Sequence, residues 1–165
     1  MTAQADTPAD APSAVTAERQ RWMRTLASAE TSELEAAWLE WEPKPEVQQI
    51  RGPEAGLVMV RGRIDAGGAR FNLGEATVSR STVRLHGAPL DEDVLGSSYV
   101  LGVRLEHASV AAIFDGILSD PGLHERALRD VISPLEKAQA ERDDARRTEA
   151  RGTLVDFFTV AREHE

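Results

Sequence analysis

The chain has 165 residues, 41% of them hydrophobic, and a formal net charge of −9. One domain of this length buries roughly 68–70% of its unfolded surface, enough for a core without staples, and with no cysteine it can hold no disulfide, thiolate nucleophile, iron–sulfur cluster or cysteine zinc site. The acidic balance argues against nucleic-acid binding, no apolar run approaches the roughly 18 residues of a membrane span, and residues 1–14 lack the charged start and apolar stretch of a secretory signal; a soluble cytoplasmic protein is expected.

Residues 1–14 are rich in Ala, Pro, Asp and Thr with no large apolar side chain after Met1. They predict a disordered tail, leaving residues 15–165 as a single domain. Residues 15–42 read as helical. Trp22, Met23 and Leu26 share one face, and Leu34, Trp38, Leu39 and Trp41 form the next apolar stripe. Ser32 with Glu35 fits a capping box, and Pro43 and Pro45 end the helix.

Between residues 47 and 103 the period changes to two. Val58, Val60 and Ile64 alternate with Leu57, Met59, Arg61 and Arg63, and Asp65-Ala66-Gly67-Gly68 is a turn signal. Phe71 and Leu73 continue on a second strand. Val78, then Val83 and Leu85, lie on a third and a fourth stretch, and their change of parity predicts a bulge near Arg80. Residues 87–96 read as a polar loop and residues 99–103 as a short strand. Short neighbouring strands with tight turns imply antiparallel pairing.

Residues 105–165 return to helix. Val110, Phe114, Ile117 and Leu118 make a core-facing stripe, Asp120-Pro121-Gly122 breaks it, and Ser133-Pro134 resembles an N-cap followed by proline. From Leu135 to Arg151 the helix has one large apolar residue, so it lies on the surface or needs a partner. Leu154, Val155, Phe157 and Phe158 then restore an apolar cluster, read as a docking segment. The expected fold is α+β: a central antiparallel sheet of about four to five strands, flanked by N-terminal helices and a helical C-terminal half.

No catalytic constellation stands out, and no metal site. His107 is the best single candidate, preceded by Glu106 and followed eight residues later by Asp115. Glu106 and His107 point about 100° apart on a helix, and eight residues span about 12 Å of axis, so the three cannot share a metal. A packing or capping role is the simpler reading for His107. The glycines match no phosphate loop, and no Gly-x-Ser-x-Gly elbow exists. The seven basic residues from 51 to 104 are all arginine. Among them Arg63, Arg80 and Arg84 on a sheet face could meet a polyphosphate or an acidic partner.

Four ordered blocks resemble one family. Arg19-Gln20-Arg21-Trp22-Met23 with Leu26-Ala27 is similar to R-Q-x-W-M-x-x-L-A. Phe71-Asn72-Leu73-Gly74-Glu75-Ala76-Thr77-Val78-Ser79-Arg80, then Val83-Arg84-Leu85, is similar to F-N-L-G-E-x-T-x-T-R and V-R-L. Tyr99-Val100-Leu101-Gly102 and His107-Ala108 keep the G-x-x-x-x-H-A spacing. Val155-Asp156-Phe157-Phe158-Thr159 with Arg162 is similar to V-D-F-F-T-M-V-R. The resemblance is to the PhnG subunit of the bacterial carbon–phosphorus lyase system, from about Arg19 to Arg162. The sequence departs from it where Gly102-Val103-Arg104-Leu105 replaces G-R-D, and where Ser81 stands at a frequent cysteine.

The resemblance implies a core complex with PhnH, PhnI and PhnJ, acting with PhnL. That system transfers ribose triphosphate from ATP to a phosphonate such as methylphosphonate and releases adenine. It further implies that the iron–sulfur cluster and S-adenosylmethionine belong to another subunit, and that this chain carries no cofactor and no catalytic residue. An assembly subunit is the leading reading, with the arginine-bearing sheet and the segment from Leu154 to Phe158 as contact surfaces. Two alternatives stay open: a small self-contained enzyme using His107, and a homo-oligomeric binder of phosphorylated small molecules.

Overall fold

The helical stripe of Trp22 and Leu26 forms α1 (Ala14–Ser28), and that of Leu34 forms α2 (Thr31–Glu40). A computed structural model describes residues 13–64 and 68–152. Most of the expected tail lies outside them, while Ser13 caps α1 by accepting from the Thr16 amide at 3.3 Å. The capping box expected at Ser32 and Glu35 does not form. Helix α2 already contains Ser32: it starts at Thr31, with Glu30 at the N-cap position and no side-chain cap.

The sheet is antiparallel, as expected, but has three long strands: β1 (Glu46–Gly62), β2 (Phe71–His86) and β3 (Val94–Leu101), in that order. The stretches around Phe71, Val78 and Val83 are parts of one 16-residue strand, which is why the count falls below four. The parity change at Val78 is a change of face, not a break. Pairing of β2 with β3 runs without a shift from Val78↔Leu101 to Leu85↔Val94. The irregularity lies on β1, between Gln49 and Arg51 and between Arg51 and Glu54, across from Arg80 and Thr82. Pro53, which has no N–H to pair, sits there. Gly52 takes a φ of +72°, and a Cβ on it would lie 2.6 Å from the Arg80 carbonyl oxygen.

One face of the sheet carries Ser79, Ser81, Val83 and Leu85 of β2 with Gly96, Ser98 and Val100 of β3, all buried. Helix α3 (Leu105–Ser119) lies on that face, with α1 and α2 beside it. The approach is close because two glycines meet: a Cβ on Gly96 would stand 1.9 Å from the Ala112 carbonyl oxygen. Phe114 is fully buried and meets the Trp38 and Trp41 rings edge-on, each at 6.0 Å.

The chain then runs through α4 (His124–Ala127), a π-helical turn (Leu128–Ile132) and α5 (Ser133–Gly152). The expected N-cap at Ser133 is therefore a passage within continuous helix, and its hydroxyl donates to the Leu128 carbonyl at 2.9 Å. Polar α5 is held by more than Leu135, because Arg21 bonds Glu136 at 2.7 Å and Arg142 bonds Glu33 at 2.6 Å. Residues 144–151 are exposed.

Candidate functional site

His107, in the first turn of α3, is 1% exposed. Arg104 donates to its Nδ1 at 2.9 Å. Because arginine can only donate, Nδ1 is the acceptor, and Nε2–H donates to the Leu26 carbonyl at 2.8 Å. The same Arg104 nitrogen donates to the Ala29 carbonyl and to Thr31 Oγ1, each at 2.9 Å. His107 thus fastens the end of α1 and the start of α2 to α3. It is the packing histidine of the simpler reading, with no open nitrogen for proton transfer.

Burial pushes the His107 imidazole below its ordinary value of 6.5, the Leu26 hydrogen bond pulls it up, and the Arg104 charge lowers it further. A folded pKa below the unfolded one means that the unfolded chain protonates first. The stabilisation from His107 is therefore complete above about pH 6.5 and is lost as pH falls below it. The unfolding free energy from urea titrations is expected to fall from pH 7.5 to 5.5 by up to about 1.4 kcal/mol per pH unit in that window. His107→Gln is expected to flatten the slope, and an unchanged slope would show that another group carries it.

Asp115, also on α3, is fully buried and serves a separate network. It accepts from Arg19 Nη2 at 2.7 Å and Nε at 3.1 Å, from Trp22 Nε1 at 3.0 Å, and from the Ser97 amide at 2.9 Å. Hydrogen bonding to Asp115 raises the Arg19 pKa above its ordinary value. His107 and Asp115 share a helix without sharing a partner, and no local spacing could have joined Asp115 to residues this distant in sequence. Among the described residues, no group of three or more His, Asp or Glu could hold a metal ion.

The three singled-out arginines are not brought together. Arg80 and Arg84 lie on the sheet face away from α3, four residues apart on β2 or about 13 Å. Arg63 follows the end of β1 at the far end of the hairpin. Arg80 bonds Glu54 at 2.9 Å, and Arg84 pairs with Asp93. Hydrogen bonds from Arg51 and then Arg80 hold the Glu54 carboxyl below the usual carboxylate range. Arginines already matched to carboxylates of their own chain offer a polyphosphate little net charge.

What that outer face offers is apolar. Among the described residues, the helices that pack on the sheet do so on its other side, and the outward residues of β3 stand in a row: Leu95, Tyr99 and Leu101, 55–73% exposed, with Val103 just beyond at 70%. The loop expected at residues 87–96 hid Leu95 from a sequence reading. Its period-two spacing to Tyr99 and Leu101 was the available signal. Leu154, Val155, Phe157 and Phe158 lie outside the described residues.

The chain matches a family model described as phosphonate metabolism protein PhnG over residues 17–163. It is 44% identical over 147 residues to a protein of Rhizobium meliloti (strain 1021) named alpha-D-ribose 1-methylphosphonate 5-triphosphate synthase subunit PhnG, covering 88% of this chain and 90% of that protein. No helix among the described residues is long and apolar enough to cross a membrane. The chain belongs to the PhnG family of phosphonate metabolism proteins.

Proposed function

We propose that this chain is a non-catalytic subunit of a cytoplasmic assembly that transfers ribose triphosphate from ATP to methylphosphonate with release of adenine, in the catabolism of organic phosphonates. The observation that carries the reading is the sheet face that no described helix covers, whose row Leu95, Tyr99, Leu101 and Val103 is exposed. Apolar patches of this kind mark protein–protein contact. The partners proposed are PhnH-, PhnI- and PhnJ-like subunits, acting with a PhnL-like protein. This chain holds no cofactor in the proposal: ATP is substrate of the assembly, and the iron–sulfur cluster and S-adenosylmethionine sit on another subunit. The alternative enzyme reading rested on His107, which is buried and bonded at both nitrogens.

The test is co-expression with those partners, purification through a tag on this chain, and mass measurement of what elutes. A hetero-oligomer is expected. A monomer that brings down none of them would overturn the proposal. Deleting residues 154–165, with the four apolar side chains of the docking segment, is expected to abolish co-purification.

A further inference from the structure

Strand β3 ends at Leu101, opposite Val78. There the Gly102 amide donates to the Thr77 carbonyl at 2.8 Å and the chain leaves for α3. The β1–β2 hairpin continues past that point. Its last paired residues are Gly62 and Phe71, so a two-stranded arm runs on for seven residues, about 23 Å.

From Phe71 to Glu75 every β2 residue is exposed. Leu57 and Met59 lie on the face that, nearer the body, packs on α3, yet they are 62% and 51% exposed, and Leu73, left unpaired by the register shift between Val60 and Arg61, is 61% exposed. Among the described residues, no strand pairs with the edge of β2 from Phe71 to Ala76. A two-stranded ribbon is marginal in water by itself, and an unpaired edge beside exposed apolar side chains is a template for another strand.

We propose that this edge, with the exposed apolar side chains of Leu57, Met59 and Leu73, is where a different subunit of the assembly docks by adding a strand in line with β3. The inference rests on the reading of this chain as an assembly subunit. Charge selects the occupant. The sequence from residue 61 to 70, between the two strands' ends, carries Arg61, Arg63 and Arg70 against Asp65, a basic stretch on a chain of net charge −9. Two copies of so acidic a chain repel one another. The surface that fits is an apolar strand edge rimmed by carboxylates on another polypeptide.

Co-expression with the partners named above tests this, using Leu57→Glu/Leu73→Glu in the full chain. Both positions are exposed, so the variant is expected to melt like the wild type while co-purifying about tenfold less, as expected for central contacts of an interface. Hydrogen exchange reads the edge directly: amides of residues 71–76 are expected to slow by about tenfold or more in the wild-type complex relative to the free chain. A double variant that assembles at the wild-type level, with unslowed amides, overturns the inference and leaves the subunit reading intact. Failure of the wild type to assemble overturns both. If the free wild type is a dimer that the double variant breaks, the occupant is a second copy. If edge protection in the free chain disappears on deleting residues 153–165, it is the chain's own C-terminal segment. Either outcome overturns the hetero-subunit assignment.

Discussion

Replacing Asp115 with alanine is expected to lower stability by about 2–5 kcal/mol. The carboxylate is fully buried and accepts four hydrogen bonds. Its loss leaves the Trp22 indole N–H and the Ser97 amide unpaired in the interior, each costing about 1–3 kcal/mol. Arg19 adds less, because its side chain is 43% exposed and can turn to water. Asp115→Asn, which keeps an acceptor for the indole, is expected to fall between. Urea and thermal unfolding followed by circular dichroism would check this, with a loss in melting temperature of at least about 4 °C for the alanine variant. A change within about 0.5 kcal/mol would place Asp115 among ordinary surface positions and contradict the network.

Gly96→Ala is expected to cost about 1–3 kcal/mol or more. The added methyl would meet the Ala112 carbonyl oxygen at 1.9 Å and the Gly116 nitrogen at 2.6 Å. Both are backbone atoms of α3 and cannot swing aside, so the helix must lift from β3. Val83 and Leu85 would then lose part of their cover. Gly56→Ala provides the control: nothing lies within 4 Å of its added Cβ, and its effect is expected to stay within about 0.5 kcal/mol. Equal unfolding midpoints for the two variants would show that the strand and helix are not in such close contact.

Both predictions concern contacts that sequence patterning could not display. The helical spacing of Trp22, Leu26 and Phe114 was legible because a 3.6-residue period is local, and α1, α2 and α3 follow it. The strands were legible as strands but not in number. β2 changes its apolar face at Val78, and only pairing with an unshifted β3 reveals one continuous element. The polarity of α5 was legible, whereas its anchoring was not. Glu136 and Arg142 find Arg21 and Glu33 across more than a hundred residues of chain.

For the candidate site the division is sharper. The arginines of the sheet were visible in the sequence, but their neutralisation by Glu54 and Asp93 depends on strand register and on the approach of the loop before β3. His107 was visible as a lone candidate, and only the packing of three helix ends around it shows a fastening role.

The amino-acid sequence by itself determined the α+β class, the absence of thiol chemistry and the membership in a family of phosphonate metabolism proteins. Each follows from local period, residue type or ordered motif. Tertiary structure alone decided that, among the described residues, the outer sheet face and the β1–β2 arm stand uncovered. Exposure depends on where every other element packs, and here the described helices gather on one side of a sheet whose first two strands outrun the third.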